Sequence, residues 1–350
     1  MAFRGGEKRH LKDLATAAGV SLATVDRVLN GRKGVNPRTR RHVLDVARRE
    51  SFLTAAEADD LGRASPANIA ILLPAGTNPY LRELGDRVRA RIASARATDP
   101  TLRCFFIDSF QADALAASLR HHSAWADGIA FFGMDHPTVR EAAAEVQAGG
   151  TRLVTLISGL QQMQDLQCVG VDSFAAGRTA GMLIARLTRT DKGAVALVAG
   201  SRHYLAHAER EDGFRSVLKD MDAQLTVVGL HEGHDDAGAN YRYTLGLLDR
   251  HPDLRGIYNV GGSSSGIVRA LAERDRRDVI LIGHGLSADT RRALMDGTMD
   301  VVLDLDIDVL LDRAIDCLLR HGPPPRPPKL DIFFRENMGC RTAASRTCAK

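Results

Sequence analysis

The stretch from residue 11 to residue 40 constrains this chain more than any other, because it predicts two short helices joined by a tight turn. In the first helix, apolar residues recur at the spacing of one helical face, and Gly19 then ends that pattern. Ser21 can cap the second helix, in which Val25, Val28 and Leu29 form the inward stripe. Two helices joined by a short turn that contains a glycine form a helix-turn-helix, whose second helix reads the major groove of DNA.

Positive charge is concentrated around this motif. Residues 1–50 hold 12 Lys and Arg against 5 Asp and Glu, whereas residues 67–350 hold 34 against 35. A DNA backbone favours such a basic head, because each neutralised phosphate releases counterions. A helical corner inside some larger helical domain has no need of that charge, so DNA binding is the better interpretation.

Composition excludes several other classes of protein. With 350 residues, 44% of them hydrophobic and 26% charged, the chain is typical of a soluble globular protein of two or three domains. It has no apolar run of about 18 residues, and its start lacks the apolar segment of a signal peptide, so we expect a cytoplasmic protein without a membrane partner. The five cysteines are scattered and form no CxxC or zinc-ligand spacing, so we predict no metal site and no cofactor.

From Asn68 onward, short apolar runs alternate with amphipathic helices, which predicts buried parallel sheets covered by helices. About ten strands exceed one ordinary sheet, so the predicted fold class is α/β: a helix-turn-helix head followed by two doubly wound lobes with a ligand cleft between them. The predicted strands are 69–73, 102–107, 128–132, 153–157, 169–171, 194–198, 225–228, 256–260, 279–282 and 301–303. The predicted helices between them include 80–95, 139–148, 175–187, 206–221, 267–274 and 309–319.

Five motifs lie along almost the full length of the chain. They are GVSLATVDRVLNG at 19–31, VNPRTR at 35–40, TNPY at 77–80, VGVDSFAAG at 169–177 and IFFRENM at 332–338. With these motifs the chain resembles the lactose-repressor-like (LacI/GalR) family of bacterial transcription regulators. The resemblance implies a homodimer on a near-palindromic DNA operator and a hinge helix that orders on that DNA. It also implies a periplasmic-binding-protein-like domain that responds to a small molecule, usually a sugar or sugar derivative.

The resemblance also implies domain boundaries. We expect a DNA-binding head at 1–51, a hinge at 52–66, a two-lobe effector-binding and dimerisation domain at 67–340 and a polar tail at 341–350. Lobe 1 is expected at about 67–172 and 306–330, and lobe 2 at about 173–305 and 331–340. The Pro-rich segment 322–328 is an extended connector between them. From its residues, the hinge is either a short helix or a flexible linker that ends in a Ser-Pro break.

Carried over to this sequence, the family pattern assigns DNA-contacting residues. Leu22, Ala23 and Arg27 are expected to face base edges, and Arg27 is the best direct reader because a guanidinium can bond guanine O6 and N7 together. Leu61 is expected to insert into the minor groove as a wedge. The residues expected to contact phosphates are Ser21, Thr24, Asn30, Asn36 and Thr39.

The sequence departs from the family pattern in the head and in the hinge. Asp26 stands where the family usually has Ser, so this acid either accepts from a cytosine amino group or forms a pair within its helix. Glu57, Asp59 and Asp60 stand at hinge positions that are often neutral or basic. Phosphates repel acids, so the hinge either binds DNA weakly or orients these acids away from it.

Polar side chains at the carboxyl ends of the predicted strands make a ligand site between the lobes plausible. The expected effector-binding residues are Asn78, Tyr80, Asp135, His136, Asp172, His207, Arg210, Asn259 and His284. Tyr80 supplies a ring that can stack on the apolar face of a pyranose. Gly285 and Leu305, however, stand where the family often has a sugar-binding acid and a Gln. Either the ligand is not an ordinary sugar or the cleft has degenerated, which leaves open a DNA-binding regulator without an effector.

A remote alternative is a serine hydrolase. The GSSSG run at 262–266 satisfies G-x-S-x-G, follows a predicted strand and opens a helix, as a nucleophile elbow requires. Ser264 would then be the nucleophile, with Asp304 or Asp306 and His321 completing the triad. This alternative explains neither the basic head nor the helix-turn-helix, and few strands follow the elbow. We therefore predict no catalytic residue and a transcriptional regulator, most simply a repressor, whose operator affinity responds to a carbohydrate-like effector.

Overall fold

The computed structural model describes residues 7–32, 35, 37–54, 57–58, 61, 67–97, 99–188, 192–319 and 328–338. Three helices form the head: Glu7–Ala17 (α1), Leu22–Leu29 (α2) and Pro37–Arg49 (α3). Gly19 adopts a φ of 62°, the left-handed conformation that the turn between α1 and α2 requires. A separate small core holds the three helices together, with Leu14, Val25, Val28 and Val43 fully buried in it. The predicted helix-turn-helix is confirmed.

Lobe 1 contains a five-stranded parallel sheet in the order β2-β1-β3-β4-β5. Its central strands are continuous apolar runs, and all five residues of β3 are buried because helices cover both faces. The strands are Asn68–Pro74 (β1), Thr101–Ile107 (β2), Gly128–Phe132 (β3), Arg152–Leu156 (β4) and Gln167–Val169 (β5). The helices that follow them are Pro79–Ser94 (α4), Ala112–Ser123 (α5) and Pro137–Ala148 (α6).

Lobe 2 repeats this arrangement, with five parallel strands in the order β7-β6-β8-β9-β10 and an added antiparallel strand, β11, beside β10. Its strands are Lys192–Ala199 (β6), Gln224–Glu232 (β7), Leu254–Asn259 (β8), Ile280–His284 (β9), Val301–Asp304 (β10) and Asp331–Phe333 (β11). Its helices are Ser173–Leu187 (α7), Leu205–Asp220 (α8), Ala237–Arg250 (α9), Ser265–Glu273 (α10) and Ala288–Asp296 (α11). A single 3₁₀ turn, Arg335–Asn337, follows β11.

The chain passes between the lobes three times. It leaves lobe 1 after β5, returns after β10 and enters lobe 2 again at β11. The returning helix, Ile307–Leu319 (α12), buries Leu310 and Leu311 in the core of lobe 1. In both sheets the chain reverses its strand order beside the first strand, so the carboxyl ends of β1, β3, β6 and β8 face the space between the lobes.

The predicted α/β class and the two parallel-sheet lobes are confirmed. The helices α5, α9 and α11 lie between strands, where helices were expected without stated bounds, and β7 runs four residues beyond its predicted end. Among the described residues, no helix is both long enough and apolar enough to cross a membrane. In that same part of the chain, no three His, Cys, Asp or Glu side chains converge as metal ligands would.

Candidate functional site

The second head helix presents one face to the outside. Val25 and Val28 fix the opposite face in the head core, so Leu22, Ala23 and Arg27 are exposed, and 41% of Leu22 is accessible. Ser21 begins the helix, since its hydroxyl accepts from the Thr24 amide at 3.2 Å. This cap satisfies one of the free amides of the first turn and fixes the orientation of the exposed face.

Asp26 forms a pair next to this face. Its carboxylate accepts from Nδ2 of Asn30 at 2.9 Å and from the Arg32 guanidinium at 2.9 Å. A pair within the helix was one of the two alternatives for this acid; the ion-pair partner, Arg32, lies beyond the end of α2, and Asn30 is the C-cap of that helix. The pair neutralises an acid that would otherwise repel DNA phosphates, and it occupies Nδ2 of Asn30.

The third head helix carries one predicted phosphate contact and one link to lobe 1. Thr39 lies half-buried on α3, and Asn36 is outside the described residues. Arg41, on the same helix, pairs with Asp127 of lobe 1 across 3.0 Å and donates to the Asp127 backbone carbonyl. Asp127 also accepts from the Asn68 amide at 2.8 Å, at the start of β1.

The hinge begins as a helix. The Thr54 hydroxyl and the Glu57 carboxylate cap each other's backbone amides, at 3.3 Å and 2.9 Å, which is a capping box. Residues 57, 58 and 61 are helical, and Leu61 packs half-buried against the head core. The Glu57 carboxylate accepts from the Thr54 amide and also from the Thr54 hydroxyl, and these two bonds lower the pKa of Glu57 and give this acid a role in the hinge itself. Asp59 and Asp60 are outside the described residues.

A cavity that opens to solvent lies between the lobes and is lined by residues of both of them. Apolar side chains and rings form most of its wall, and a few polar groups converge in it. It is lined by Asn78, Tyr80, Leu81, Phe132, Ile157, Val171, Tyr204, His207, Arg210, Asp235, Gly261, Gly262, His284, Gly285, Leu303, Asp304, Leu305 and Leu330.

Of the nine residues predicted to bind an effector, the structure brings five to the cavity: Asn78, Tyr80, His207, Arg210 and His284. Tyr80 lies beside Gly285 and Leu305, the two cleft positions at which the sequence departs from the family pattern. Its hydroxyl donates to the Leu305 carbonyl at 3.0 Å, and a Cβ built on Gly285 would lie 2.9 Å from its ring. Gly285 therefore leaves the space that the Tyr80 ring fills.

The other four predicted residues lie outside the cavity wall. Asp135 pairs with Arg140 at 2.6 Å, and Asn259 donates to Ser264 at 2.8 Å. His136 and Asp172 cap the helices α6 and α7 through their side chains. Asp135, His136 and Asp172 follow strands and Asn259 ends one, and each has a local hydrogen-bond partner, although Oδ1 of Asn259 is buried without one. Because none of the four lines the cavity, we leave Asp135, His136, Asp172 and Asn259 out of the candidate effector site.

Asp235 was missed in the sequence, although it joins the two lobes. Its carboxylate accepts from Nδ2 of Asn78 at 2.9 Å and from the Gly262 amide at 2.7 Å, and its carbonyl accepts from Thr77 at 3.0 Å. The polar segment GHDDAG at 233–238 could have indicated Asp235 as a site residue. The strand before it, however, was predicted to end at Val228, which is too early to place this segment at the cleft. The strand continues past a bulge at Gly229, whose φ is 81°, and so delivers Asp235 to the cleft.

Burial and the cation of Arg210 govern the charge of the cavity. Only 7% of Arg210 is exposed, and burial lowers its pKa. Burial together with Arg210 lowers the pKa of His207 to about 4 and that of His284 well below its usual range. Burial raises the pKa of Asp304. Near neutral pH the two imidazoles are therefore uncharged, and His284 shares a 2.7 Å hydrogen bond with the Tyr258 hydroxyl.

A pH dependence of stability follows from His207. Its ordinary pKa is 6.5, so lowering the pH from 6.5 to 5 protonates this side chain in the unfolded chain but not in the folded one. The free energy of unfolding is therefore expected to fall over that interval, by at most about 1.4 kcal/mol per pH unit for this group. His207→Gln should flatten the slope measured by chemical denaturation, whereas His121→Gln, at an exposed position, should leave it unchanged. An unaltered slope in His207→Gln would contradict the assignment.

Among the described residues, the contacts of Ser264 do not support the hydrolase alternative. Ser264 is 4% exposed, begins α10 and bonds the Asn259 amide rather than a basic side chain. It does not line the cavity, whereas Asp304 does. His321 is outside the described residues. In the described part of the chain, the GSSSG segment acts as a helix start.

Comparisons with known proteins agree with this architecture. Residues 10–54 match the lacI family of bacterial regulatory proteins, and residues 69–321 match the periplasmic binding protein domain. Catabolite control protein A of Streptococcus mutans is 27% identical over 67% of this chain and 62% of its own length. The ribose operon repressor of Halalkalibacterium halodurans is 23% identical over 74% of this chain and 72% of its own length.

Among solved structures, the fold is similar to that of GanP, a glucose-galactose binding protein from Geobacillus stearothermophilus. The TM-score is 0.68 and the identity 18%, over 78% of this chain and 99% of the other. The chain belongs to the periplasmic binding protein domain family over residues 69–321, and its head at residues 10–54 is a domain of the lacI family of bacterial regulatory proteins.

Proposed function

We propose that this protein is a sequence-specific DNA-binding repressor whose operator affinity changes when a carbohydrate-like molecule binds between its lobes. One observation carries the proposal: the same chain joins a basic head with an exposed recognition helix to a two-lobed body with a polar cavity. The names of the relatives support it, since one is a ribose operon repressor and one structure of similar fold is a glucose-galactose binding protein.

At the DNA, two copies of the chain place their α2 helices in successive major grooves of a near-palindromic operator. Leu22, Ala23 and Arg27 face the base edges, and their exposure on one side of α2 supports this role. Ser21, Thr24, Asn30, Asn36 and Thr39 position the head on phosphates. The Arg32 guanidinium is held by Asp26, so we assign it no base.

In the cleft, the effector changes the angle between the lobes and so the spacing of the two hinges. Only a ligand with different affinities for the two lobe arrangements can shift that equilibrium. The bonds from Thr77 and Asn78 of lobe 1 to Asp235 of lobe 2 support such a coupling, because they join the lobes at the wall of the cavity.

The experiment that tests the function is a selection of genomic fragments by the purified full-length protein, followed by binding titrations with the recovered duplex. A regulator of this kind enriches a small set of near-palindromic sites, and D-ribose, D-glucose, D-galactose or an acidic derivative of them changes the affinity for these sites. Enrichment of sites whose affinity no compound alters would leave a DNA-binding regulator without an effector and contradict the carbohydrate part of the proposal.

The hinge gives a further prediction. If Leu61 inserts into the minor groove, Leu61→Ala lowers affinity for the selected operator by roughly tenfold, about 1.4 kcal/mol, and affinity for a scrambled duplex much less. Fluorescence anisotropy with both duplexes measures the difference. Leu53→Ala is the matched control, because Leu53 packs against the same head core from outside the hinge helix. Equal losses on both duplexes in Leu61→Ala would show that the leucine only stabilises the head.

A further inference from the structure

Asp127, the residue before β3, binds the head and the first strand of lobe 1 at the same time. From the head comes the Arg41 guanidinium of α3, whose Nη2 lies 3.0 Å from Oδ1 of Asp127 and whose Nη1 donates to the Asp127 backbone carbonyl. From lobe 1 comes the Asn68 amide, which donates to the other carboxylate oxygen, Oδ2, at 2.8 Å. A planar guanidinium donates in directions fixed by its geometry, so the contact sets the orientation of α3 as well as its distance from the lobe.

This contact is largely withdrawn from solvent. Only 21% of the Arg41 side chain and 12% of the Asp127 side chain are accessible, against 64% and 43% for Arg32 and Asp26, the pair inside the head. An exposed ion pair contributes little because water and salt screen it, whereas a partly buried pair is screened much less. The Arg41–Asp127 pair is therefore suited to link the head to lobe 1 at physiological salt.

Lobe 1 orients Asp127 without help from the head. The Asp127 amide donates to the Asn68 carbonyl at 2.7 Å, and the Asp127 carbonyl accepts from the Arg152 amide at 3.2 Å. These bonds join the starts of β1, β3 and β4 at the amino edge of the parallel sheet. The Arg41 guanidinium thus meets an acceptor whose orientation is already set, which lowers the entropic cost of the contact.

The same sheet reaches the cavity at its other edge. β3 begins beside Asp127 and ends at Phe132, which lines the cavity, and all five residues of this strand are buried. Asn78, four residues beyond β1, lines the cavity as well and donates to Asp235 of lobe 2. Because a close-packed interior transmits displacement, a change in the angle of lobe 1 is carried through the sheet to Arg41 and the head.

Docking does not cover the face of the head that is expected to read DNA. Arg41 lies on α3, whereas Leu22, Ala23 and Arg27 of α2 are exposed in the docked head. The head can therefore be attached to lobe 1 and present its recognition helix at once. This arrangement favours a head that is oriented for DNA over a head that is blocked.

We propose that Asp127 is a positioning residue for DNA binding, which through Arg41 fixes the orientation of the recognition helix on lobe 1 before DNA is bound. The inference rests on the proposed function in taking α2 as the helix that reads DNA. A detached head loses its rotational freedom when it binds an operator, whereas a docked head has lost that freedom beforehand. The gain is largest for an operator with two half-sites at a fixed spacing and small for a duplex without such sites.

The test is the affinity of full-length Asp127→Asn for the selected operator and for a scrambled duplex, measured by fluorescence anisotropy at one salt concentration. We expect a loss of roughly fivefold or more on the operator and a much smaller change on the scrambled duplex. By charge alone, the removal of an acid strengthens DNA binding, so a loss cannot come from the charge. Unchanged or tighter operator binding, or equal losses on both duplexes, would overturn the inference.

Glu145→Gln is the matched control. It removes the same charge from lobe 1 and breaks an ion pair, with Arg120 at 2.6 Å, whose two members both belong to the lobe. The affinity of this variant for the operator should equal that of the unaltered protein. A loss as large as that of Asp127→Asn would show that the contact with the head is not the cause.

A double-mutant cycle distinguishes positioning from a direct phosphate contact of Arg41. If Arg41 acts through Asp127, Arg41→Gln weakens operator binding in the unaltered chain but has little further effect in Asp127→Asn. If Arg41 instead binds a phosphate, its loss has the same effect in both backgrounds, and the inference is wrong. Arg41→Gln leaves lobe 1 untouched, so it provides a test even if Asp127→Asn fails to fold.

Small-angle X-ray scattering of the DNA-free protein tests the docking independently of any operator. Asp127→Asn and Arg41→Gln should both have a larger radius of gyration than the unaltered chain, and Glu145→Gln should not. An unchanged radius in both variants would show that this pair does not hold the head, whether or not the protein is a repressor. If the radius increases as expected but the protein enriches no duplex, the attachment of the head stands and the proposed function is what fails.

Discussion

Replacing Gly177 with valine is expected to lower the stability of lobe 2 by about 3 kcal/mol or more. Gly177 lies in α7 where this helix meets the backbone of α8, and a Cβ at this position would lie 2.0 Å from the Arg210 carbonyl oxygen. Gly213 of α8 makes the reciprocal approach, with its Cβ position 2.1 Å from the Phe174 carbonyl. The two helices can touch at this distance only because neither glycine has a side chain.

The cost has two components. Separating α7 from α8 loosens a core that includes Ala180, Ile184 and Phe214, all fully buried. It also moves the backbone of Arg210, so effector binding should weaken together with stability. Thermal denaturation of the full-length protein should show a fall in Tm of roughly 6–12 °C for the transition that contains lobe 2.

Gly246→Ala is the matched control. Gly246 lies inside helix α9, and the nearest atom to its Cβ position is 4.0 Å away. Alanine there should raise stability by roughly 0.5–1 kcal/mol, because it lowers the entropy of the unfolded chain and favours the helix. A Gly177→Val protein with an unchanged Tm would show that the two helices are not held at this distance.

The second large effect is expected at Arg27. Arg27→Ala should weaken binding to the selected operator by about 1–3 kcal/mol and relax the base preference at one position of each half-site. The reason is that Arg27 is exposed on the recognition face, where a guanidinium can bond guanine O6 and N7 together. Titrations with a set of operators that carry each base at each position measure both changes.

Arg32→Ala is the matched control for Arg27→Ala, because it removes one positive charge from the same head. The Arg32 guanidinium is bound to Asp26, so its loss should weaken binding to all duplexes alike and by a smaller amount. If Arg27→Ala also lowered affinity equally for every sequence, Arg27 would be a phosphate contact, and the base reader would have to be sought among the other exposed residues of α2.

The head and the sheets could be predicted from the sequence because their patterns are local. The spacing of Leu14, Val25 and Val28 identifies the buried faces of α1 and α2, and these residues are fully buried. The strands of both lobes are short apolar runs, so most of them were found. Helices were expected between these strands, although the sequence analysis gave no bounds for α5, α9 and α11.

The cleft was harder to predict, because a polar residue that follows a parallel strand can either cap the next helix or contact a ligand. Asp172 caps a helix and Asn78 lines the cavity, and both look like polar residues that follow a strand. Only the three-dimensional structure shows which polar atoms already have partners. Asp235 was missed for a different reason. The bulge at Gly229 interrupts the regular alternation of residues along β7, so the sequence pattern ended the strand too early.

The surroundings of Tyr80 bear on a departure from the family pattern that the sequence alone could not interpret. Gly285 and Leu305 replace two polar residues of the family pattern, and on the sequence alone this leaves a degenerate cleft as one interpretation. In the structure the Tyr80 ring lies against Gly285, and its hydroxyl donates to the Leu305 backbone carbonyl. Polar side chains still line the cavity beside them, so the two departures do not remove its polar groups.

The central claim is that a basic head binds the phosphates of duplex DNA and that a near-neutral body controls this binding. The measurement that tests it most directly is the affinity of the full-length protein for its selected operator as the salt concentration is raised. The account predicts a linear fall of log affinity with log salt and, between about 50 and 200 mM, a loss on the order of 10³-fold. A protein that enriches no duplex, or whose affinity for its best duplex does not change with salt, would contradict it.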